Sequence, residues 1–294
     1  MSPVEFGIQG SGQLVGGAPD PGVFREIAVR AEELGYDSIW AGDHISYRNP
    51  ILDIVVALST FAAVTTRITL GAGIVLLPLR HPSVVAKEFA SLDYVSSGRV
   101  ILGVGVGGEG AKDFDAVGVP LGERGARTDE AMQALRALFA NDLPATFTGR
   151  FYSFEGITIA PRPAKPGGPP LWVGGRSEAA IRRAATLGDG WIPIWISPEK
   201  LAEGLEQLPA HVTPAVTLPA HVGPKRRLYE HLRARYAGDF GEHVVDRYCV
   251  AGTPDECAAR IREYANAGAQ HVVFNILELE DAERLAEVAL AAAR

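Results

Sequence analysis

At 294 residues, 47% hydrophobic and 21% charged, the chain carries enough apolar material for one large globular domain and has the length of an α/β barrel. Its 28 Lys+Arg against 35 Asp+Glu give a formal net charge of −7, and no basic run interleaves with aromatics, which argues against binding to nucleic acid. The longest apolar stretch, residues 68–79, is broken by Gly71, Gly73 and Pro78 and falls short of the ~20 residues of a spanning helix, so no membrane partner is expected. The first residues, Met1-Ser-Pro-Val-Glu-Phe, lack the basic head and apolar core of a targeting segment, and a cytoplasmic location is expected.

The first strand-like run covers residues 4–9. An amphipathic segment over residues 24–34 follows, opened by Asp20-Pro21 as cap and first-turn proline and closed at Gly35. It leads into Ser38-Ile-Trp-Ala-Gly-Asp-His44, an apolar run that reads as a short buried strand and ends in adjacent Asp43 and His44. In an α/β barrel a carboxylate and an imidazole at the carboxyl end of a strand stand where active sites sit. The blander reading makes Asp43 a cap and His44 a hydrogen-bonded loop histidine. Further β-branched runs recur at 68–75, 100–104, 171–174, 190–194, 215–221 and 271–276, with amphipathic segments between most of them. Residues 82–95 end before Gly98, and Thr253-Pro-Asp-Glu256 is a capping box opening a helix over 254–267 that stops at Gly268.

Eight strands alternating with helices require parallel pairing through crossovers, and eight is the number that closes a (β/α)8 TIM barrel. One barrel domain over residues 1–294 is expected, with insertions at 141–170 and 197–214. The first insertion contains Phe147-Thr-Gly-Arg-Phe-Tyr-Ser-Phe154, a hairpin with alternating aromatics, and then a proline-rich extended loop. Cys249 and Cys257 have neither CxxC spacing nor companion histidines, and read as reduced, inert thiols; no metal site is expected.

Two glycine-rich segments bear on chemistry. In Leu171-Trp-Val-Gly-Gly-Arg-Ser177 an apolar strand runs into Gly174 and Gly175, then Arg176 and Ser177, and then an amphipathic helix. Free backbone N–H groups, a hydroxyl and a guanidinium gathered at a helix amino terminus form an anion site, and the paired glycines permit close approach of a phosphate. A plain turn with Ser177 as N-cap is the alternative. Gly103-Val-Gly-Val-Gly-Gly108 matches GxGxxG, but no long apolar-faced helix follows, which argues against a nicotinamide fold. This glycine run reads instead as close approach of backbone to a flat ring.

These residues resemble the bacterial luciferase-like superfamily, and within it the coenzyme F420-dependent oxidoreductases. The likeness covers nearly the whole chain. It rests on Ala31-Glu-Glu-Leu-Gly-Tyr-Asp-Ser-Ile-Trp-Ala-Gly-Asp-His44, Leu79-Arg-His-Pro82 and Gly98-Arg-Val-Ile-Leu-Gly-Val-Gly-Val-Gly107. Glu123-Arg-Gly-Ala-Arg-Thr-Asp-Glu130, Gly174-Gly-Arg-Ser-Glu-Ala-Ala180 and Gly188-Asp-Gly-Trp191 continue it in order. The resemblance implies a barrel that holds a deazaflavin or flavin at the carboxyl ends of its strands, often as a homodimer.

By the same resemblance Asp43 and His44 are the pair at the ring's polar edge. Gly73, Ile74 and Val75 match the strand-three bulge that backs the ring, with a non-prolyl cis peptide at an unspecified bond. Val106 and Gly107 lie near the ring, Gly174, Gly175, Arg176 and Ser177 form the phosphate clamp, and Glu109 falls near an acid of some F420 enzymes. Gly108 replaces a tryptophan or asparagine of many relatives, which loosens the register of Glu109. Tyr47 and Arg48 stand where sugar-phosphate-specific members have an aromatic; with no lysine-rich phosphate site evident, a sugar phosphate is not expected.

Hydride chemistry needs a supported ring, a substrate within reach and one proton gained or lost, and a histidine suits the proton step. Asp43 is the nearest group to fix its tautomer, although neighbours on a strand face opposite ways, so one of the two is structural and His44 is taken as the chemical one. The leading expectation is F420-dependent hydride transfer to or from a small organic substrate. An FMNH2-dependent monooxygenase is the alternative, disfavoured because many flavin members carry Glu-His in place of Asp43-His44. A non-catalytic flavin- or deazaflavin-binding protein is the third.

Overall fold

The structure is a computed structural model and describes residues 3–9, 20–47, 49–107, 110–140, 142–236 and 241–292. The chain alternates β1 (Glu5–Gln9), α1 (Pro21–Glu33), β2 (Ser38–Ala41), α2 (Ile54–Val64), β3 (Thr69–Ala72), a short β4 (Val75–Leu76), α3 (Pro82–Val95) and β5 (Val100–Gly105). Helices α4 (Ala111–Val117) and α5 (Arg124–Phe139) follow, then a hairpin of β6 (Ala145–Thr148) and β7 (Ser153–Ile157). The second half runs β8 (Leu171–Gly174), α6 (Glu178–Leu187), β9 (Gly190–Ile192), α7 (Pro198–Leu205), β10 (Thr213–Val222), α8 (Lys225–Tyr236), α9 (His243–Tyr248), β11 (Val250–Gly252), α10 (Pro254–Asn266), β12 (His271–Ile276) and α11 (Leu279–Ala292).

Strands β1, β2, β3, β5, β8, β9, β10 and β12 pair in parallel in that order, and β12 pairs back onto β1, so the sheet closes on itself. The expected (β/α)8 TIM barrel is what forms. Inside it, Trp40 and Trp172 pack with their ring centroids 5.5 Å apart and their planes tilted by 37°, with Ile192, Ala215 and Val273 around them. Two indoles fit one barrel layer only because glycines face them: a Cβ on Gly71 would lie 2.1 Å from the Trp40 ring. Polar edges in this layer are satisfied in a chain, with Trp40 Nε1 donating to Ser38 Oγ at 2.8 Å and Ser38 Oγ 2.7 Å from His271 Nε2.

Local signals placed the helices. Asp20 caps α1 with Pro21 in its first turn, and Thr253 with Glu256 forms the capping box of α10. The hairpin at Phe147 and Phe154 forms as the alternation indicates, and Glu130 anchors its turn by accepting from the amides of Arg150, Phe151 and Tyr152. One expectation is corrected. Residues 197–214 are no insertion, because Ser197 caps α7 and the segment is the crossover helix between β9 and β10. Residues 142–170 hold the β6–β7 hairpin and the extended segment after it, and none of these described residues lines the cavity described below. Both cysteines are free, buried thiols, and burial pushes Cys249 up to about 12 and Cys257 up to about 11.

Candidate active site

The carboxyl ends of the barrel strands surround a cavity of about 250 Å³ that opens to solvent. On the β2 side, His44 reaches the cavity while its Nδ1 lies 2.8 Å from Asp113 Oδ2. Asp113 sits in the first turn of α4, and its other oxygen accepts from the amides of Ile45 (2.8 Å) and Ser46 (2.7 Å). Burial works to raise the Asp113 carboxyl, but the hydrogen bonds from His44 and Ser46 outweigh it and hold the group below the ordinary aspartate value. An ionised carboxylate only accepts, so Nδ1 carries the proton and Nε2 is left as the basic nitrogen. Tyr47 stacks on the imidazole at 4.2 Å and fixes its plane.

Asp43 faces the cavity as well but has different partners. It is 4% exposed; one oxygen accepts from Arg80 at 2.8 Å and the other from the amide of Leu76 at 3.1 Å. Arg80 also donates to Asp53 at 2.8 Å, so the group ties β2 to the start of α2 and to the segment before α3. Burial lifts the Asp43 carboxyl above its ordinary value, with Arg80 opposing the lift. The acid that orients His44 is therefore Asp113 and not its neighbour Asp43; both side chains reach the cavity because residues 43 and 44 lie beyond the end of β2, where strand alternation no longer holds.

The third wall is the break between β3 and β4, where the Gly73–Ile74 peptide is cis and Gln9 Nε2 donates to the Gly73 carbonyl at 3.1 Å. Ile74 presents an apolar side chain to the cavity. Its seat explains the glycine run of β5: a Cβ on Gly105 would lie 1.9 Å from Ile74 Cδ1, and one on Gly174 would lie 2.7 Å from the same atom. The expectation that these glycines admit a flat ring is corrected for Gly103 and Gly105, which make room for the β3–β4 break. Val106 and Gly107, one step further, do line the cavity, whereas Val75 is buried behind it.

At the end of β8, Gly174 and Gly175 line the cavity, with Gly175 at φ +108°. Ser177 Oγ is spent as the N-cap of α6, accepting from the amide of Ala180, so the plain capping reading holds for that hydroxyl. Arg176 is exposed and donates to the carbonyl of Trp195 at 2.9 Å. Opposite, Thr217, Asn275, Arg235 and Tyr236 complete the wall. Arg48, Gly108 and Glu109 lie outside the described residues.

Sequence reasoning missed Asp113, Arg80, Arg235 and Asn275. Asp113 had a weak local signal, an acid in a first helical turn just after the fourth strand. Outside the cavity, His221, Glu278 and Asp281 approach one another within 4.8 Å, but Asp281 accepts from His221 Nδ1 and the amide of Val222, and Glu278 pairs with Arg227. That cluster braces β10 to the start of α11.

A closed parallel barrel with an imidazole, a cis break in the third strand and a glycine pair after the fifth, all at the carboxyl ends, is the layout of the luciferase-like class. The chain belongs to it: the family model for luciferase-like monooxygenase matches residues 4–213. The chain is 30% identical to an F420-dependent glucose-6-phosphate dehydrogenase of Kineococcus radiotolerans, over 93% of this chain and 91% of that one. It is 29% identical to the protein of the same name from Amycolatopsis mediterranei, over 85% and 87%. Among solved structures, an F420-dependent secondary alcohol dehydrogenase with an F420-acetone adduct superposes with a TM-score of 0.86 at 22% identity, covering 99% of both chains. The F420-dependent tetrahydromethanopterin reductase of Methanopyrus kandleri gives 0.80 at 18%, covering all of both.

Proposed function

We propose that this protein is an F420-dependent oxidoreductase that moves a hydride between the deazaflavin and a small organic substrate. The observation that carries the reading is His44, held by an ionised Asp113 with Nε2 as its basic nitrogen, in a cavity whose remaining walls suit a planar ring with a phosphate tail. The fit rests on the apolar Ile74 wall and on the bare backbone of Gly174 and Gly175, where a Cβ-free approach and the amino end of α6 suit an anion. Bound there, F420 supplies a ring carbon that accepts or gives a hydride. His44 Nε2 takes the hydroxyl proton when an alcohol is oxidised and returns it to the oxygen when a carbonyl is reduced. Asp113 holds the imidazole in that tautomer. Asp43, paired with Arg80, holds the shape of the wall. Arg176 extends the glycine pair as a phosphate contact, and Glu109 remains a candidate second acid.

Titration of the purified protein with F420 and with FMN, read by fluorescence quenching and absorbance, tests the cofactor. Preferential F420 binding is expected; tight FMN binding without F420 binding reverses the choice in favour of an FMN-dependent monooxygenase, and binding of neither sinks both. Among the described residues no helix is long and apolar enough to cross a membrane. We further propose a homodimer through the outer faces of α2 and α3, which pack together and expose Val56, Val84, Tyr94 and Val95. Light scattering that returns the monomer mass at micromolar concentration would exclude it.

A further inference from the structure

Two arginines are buried among the described residues, and they are partnered differently. Arg183 pairs with Asp129. Arg235, at the end of α8 and 7% exposed, pairs with no carboxylate among the described residues. Its Nη1 donates to Asn275 Oδ1 at 3.2 Å, its Nε has no partner, and the guanidinium sits 5.3 Å from the Tyr236 ring centroid. Arg235, Asn275 and Tyr236 all line the cavity that holds His44. A guanidinium withdrawn from water without a counter-charge is costly, and a site that keeps one at a cavity wall gains when a ligand brings the charge.

The barrel order fixes where that charge belongs. Counting round the ring from β1, β3 is third and β10 seventh, so α8, which follows β10, faces the Gly73–Ile74 wall across the full width of the barrel. The glycine pair for the phosphate follows β8, the fifth strand, and His44 follows β2. Arg235 thus stands at the side of the cavity left to the substrate once a ring lies on Ile74. We propose that Arg235 and Asn275 anchor a carboxylate on the substrate, which makes this an oxidoreductase of organic acids carrying an alcohol or carbonyl. The proposal rests on the oxidoreductase reading above. One planar fork and one neutral amide match a single planar negative charge; among the described residues no lysine lines the cavity to balance the second charge of a phosphate monoester.

Calorimetry on the whole protein, with and without F420, tests this with acetate, benzoate and cinnamate, each against its primary amide, and with inorganic phosphate and glucose 6-phosphate. At least one acid is expected to bind about tenfold or more tighter than its amide and tighter than either phosphate. Arg235→Gln should reduce that preference to about twofold or less while leaving F420 affinity within about twofold, and Arg235→Lys, which keeps the charge without the fork, should fall between. The lysine variant also serves if the glutamine variant does not fold. Acids and amides binding alike in the native protein, or a preference that survives in Arg235→Gln, would overturn the proposal. Tighter binding of either phosphate would replace the carboxylate by a dianion, and a tenfold loss of F420 affinity in Arg235→Gln would give the arginine to the cofactor. If neither F420 nor FMN binds, the oxidoreductase reading fails while the acid–amide comparison still decides the role of Arg235.

Discussion

Asp113 meets His44 at 2.8 Å across 69 residues of sequence, and the same carboxylate takes the amides of Ile45 and Ser46. One acid therefore fixes both the imidazole and the loop that carries it. Asp113→Asn keeps the shape but replaces an obligate acceptor with a group that also donates, so it should lower turnover by about a hundredfold, within the range for a positioned proton-transfer group. His44→Ala should lose at least as much. F420 affinity should stay within a factor of about two in both, read by fluorescence quenching, because neither residue belongs to the glycine pair or the Ile74 wall. Normal turnover in both variants would make the β2 end a wall only.

Gly105→Ala should act through Ile74. The added Cβ would lie 1.9 Å from Ile74 Cδ1, and Gly174 closes the other side, so the side chain must move into the cavity. Overpacking of this kind costs about 1–3 kcal/mol. F420 binding should weaken by about tenfold or more, and Ile74→Val added to Gly105→Ala should restore most of it. Additive losses in a double-mutant cycle would show that the two positions act independently.

Gly175→Val should weaken cofactor binding by at least about tenfold with the fold retained, since a side chain there adopts φ +108° with difficulty and covers the bare backbone at the cavity mouth. Circular dichroism and F420 titration separate the two effects. Unchanged affinity in a folded variant would place the phosphate elsewhere.

Asp43→Ala removes one partner of a buried pair and leaves Arg80 with Asp53 alone at hydrogen-bond distance. The cost should be about 3 kcal/mol, the lower edge for such deletions because Arg80 keeps Asp53 at 2.8 Å and Glu88 at 3.9 Å. Chemical denaturation measures it directly. A loss of turnover without a loss of stability would instead assign the chemistry to Asp43.

His231 supplies a pH signature. Burial first, and then the charge of Arg235, hold its pKa at about 4 against an ordinary 6.5. The folded form stays neutral where the unfolded chain takes up a proton, so stability present above pH 6.5 should decline as the pH falls towards 4. His231→Gln should flatten that part of a melting-temperature profile. An unchanged slope would mean that other groups carry it.

The barrel and much of its site were legible because their signals are local. Parallel strands buried on both faces are short β-branched runs whatever they pair with, and caps such as Asp20 and Thr253 act within one turn, so the strand count and most helix starts follow from neighbouring residues. Where the local signal is weaker the helix is not legible: α7 spans only eight residues between Ser197 and Pro214, too few to show a helical repeat. His44 and Gly174 could be placed because each stands at a strand end, and a barrel sends every strand end to one face, whereas Ile74 was indicated only by the family resemblance.

Which groups those residues touch was decided only by closure of the sheet. Asp43 found Arg80 37 residues away, Arg235 found Asn275 40 away, and Asp113 reached back 69 to His44. Nothing within a turn or a strand marks such pairs, because a charged residue on a helix looks the same whether its side chain ends in water or in a cavity. The sequence determined the strands, their order and the residues at their ends; the ring they close set the partners, since contact across a barrel depends on strand position around the circle and not on distance along the chain.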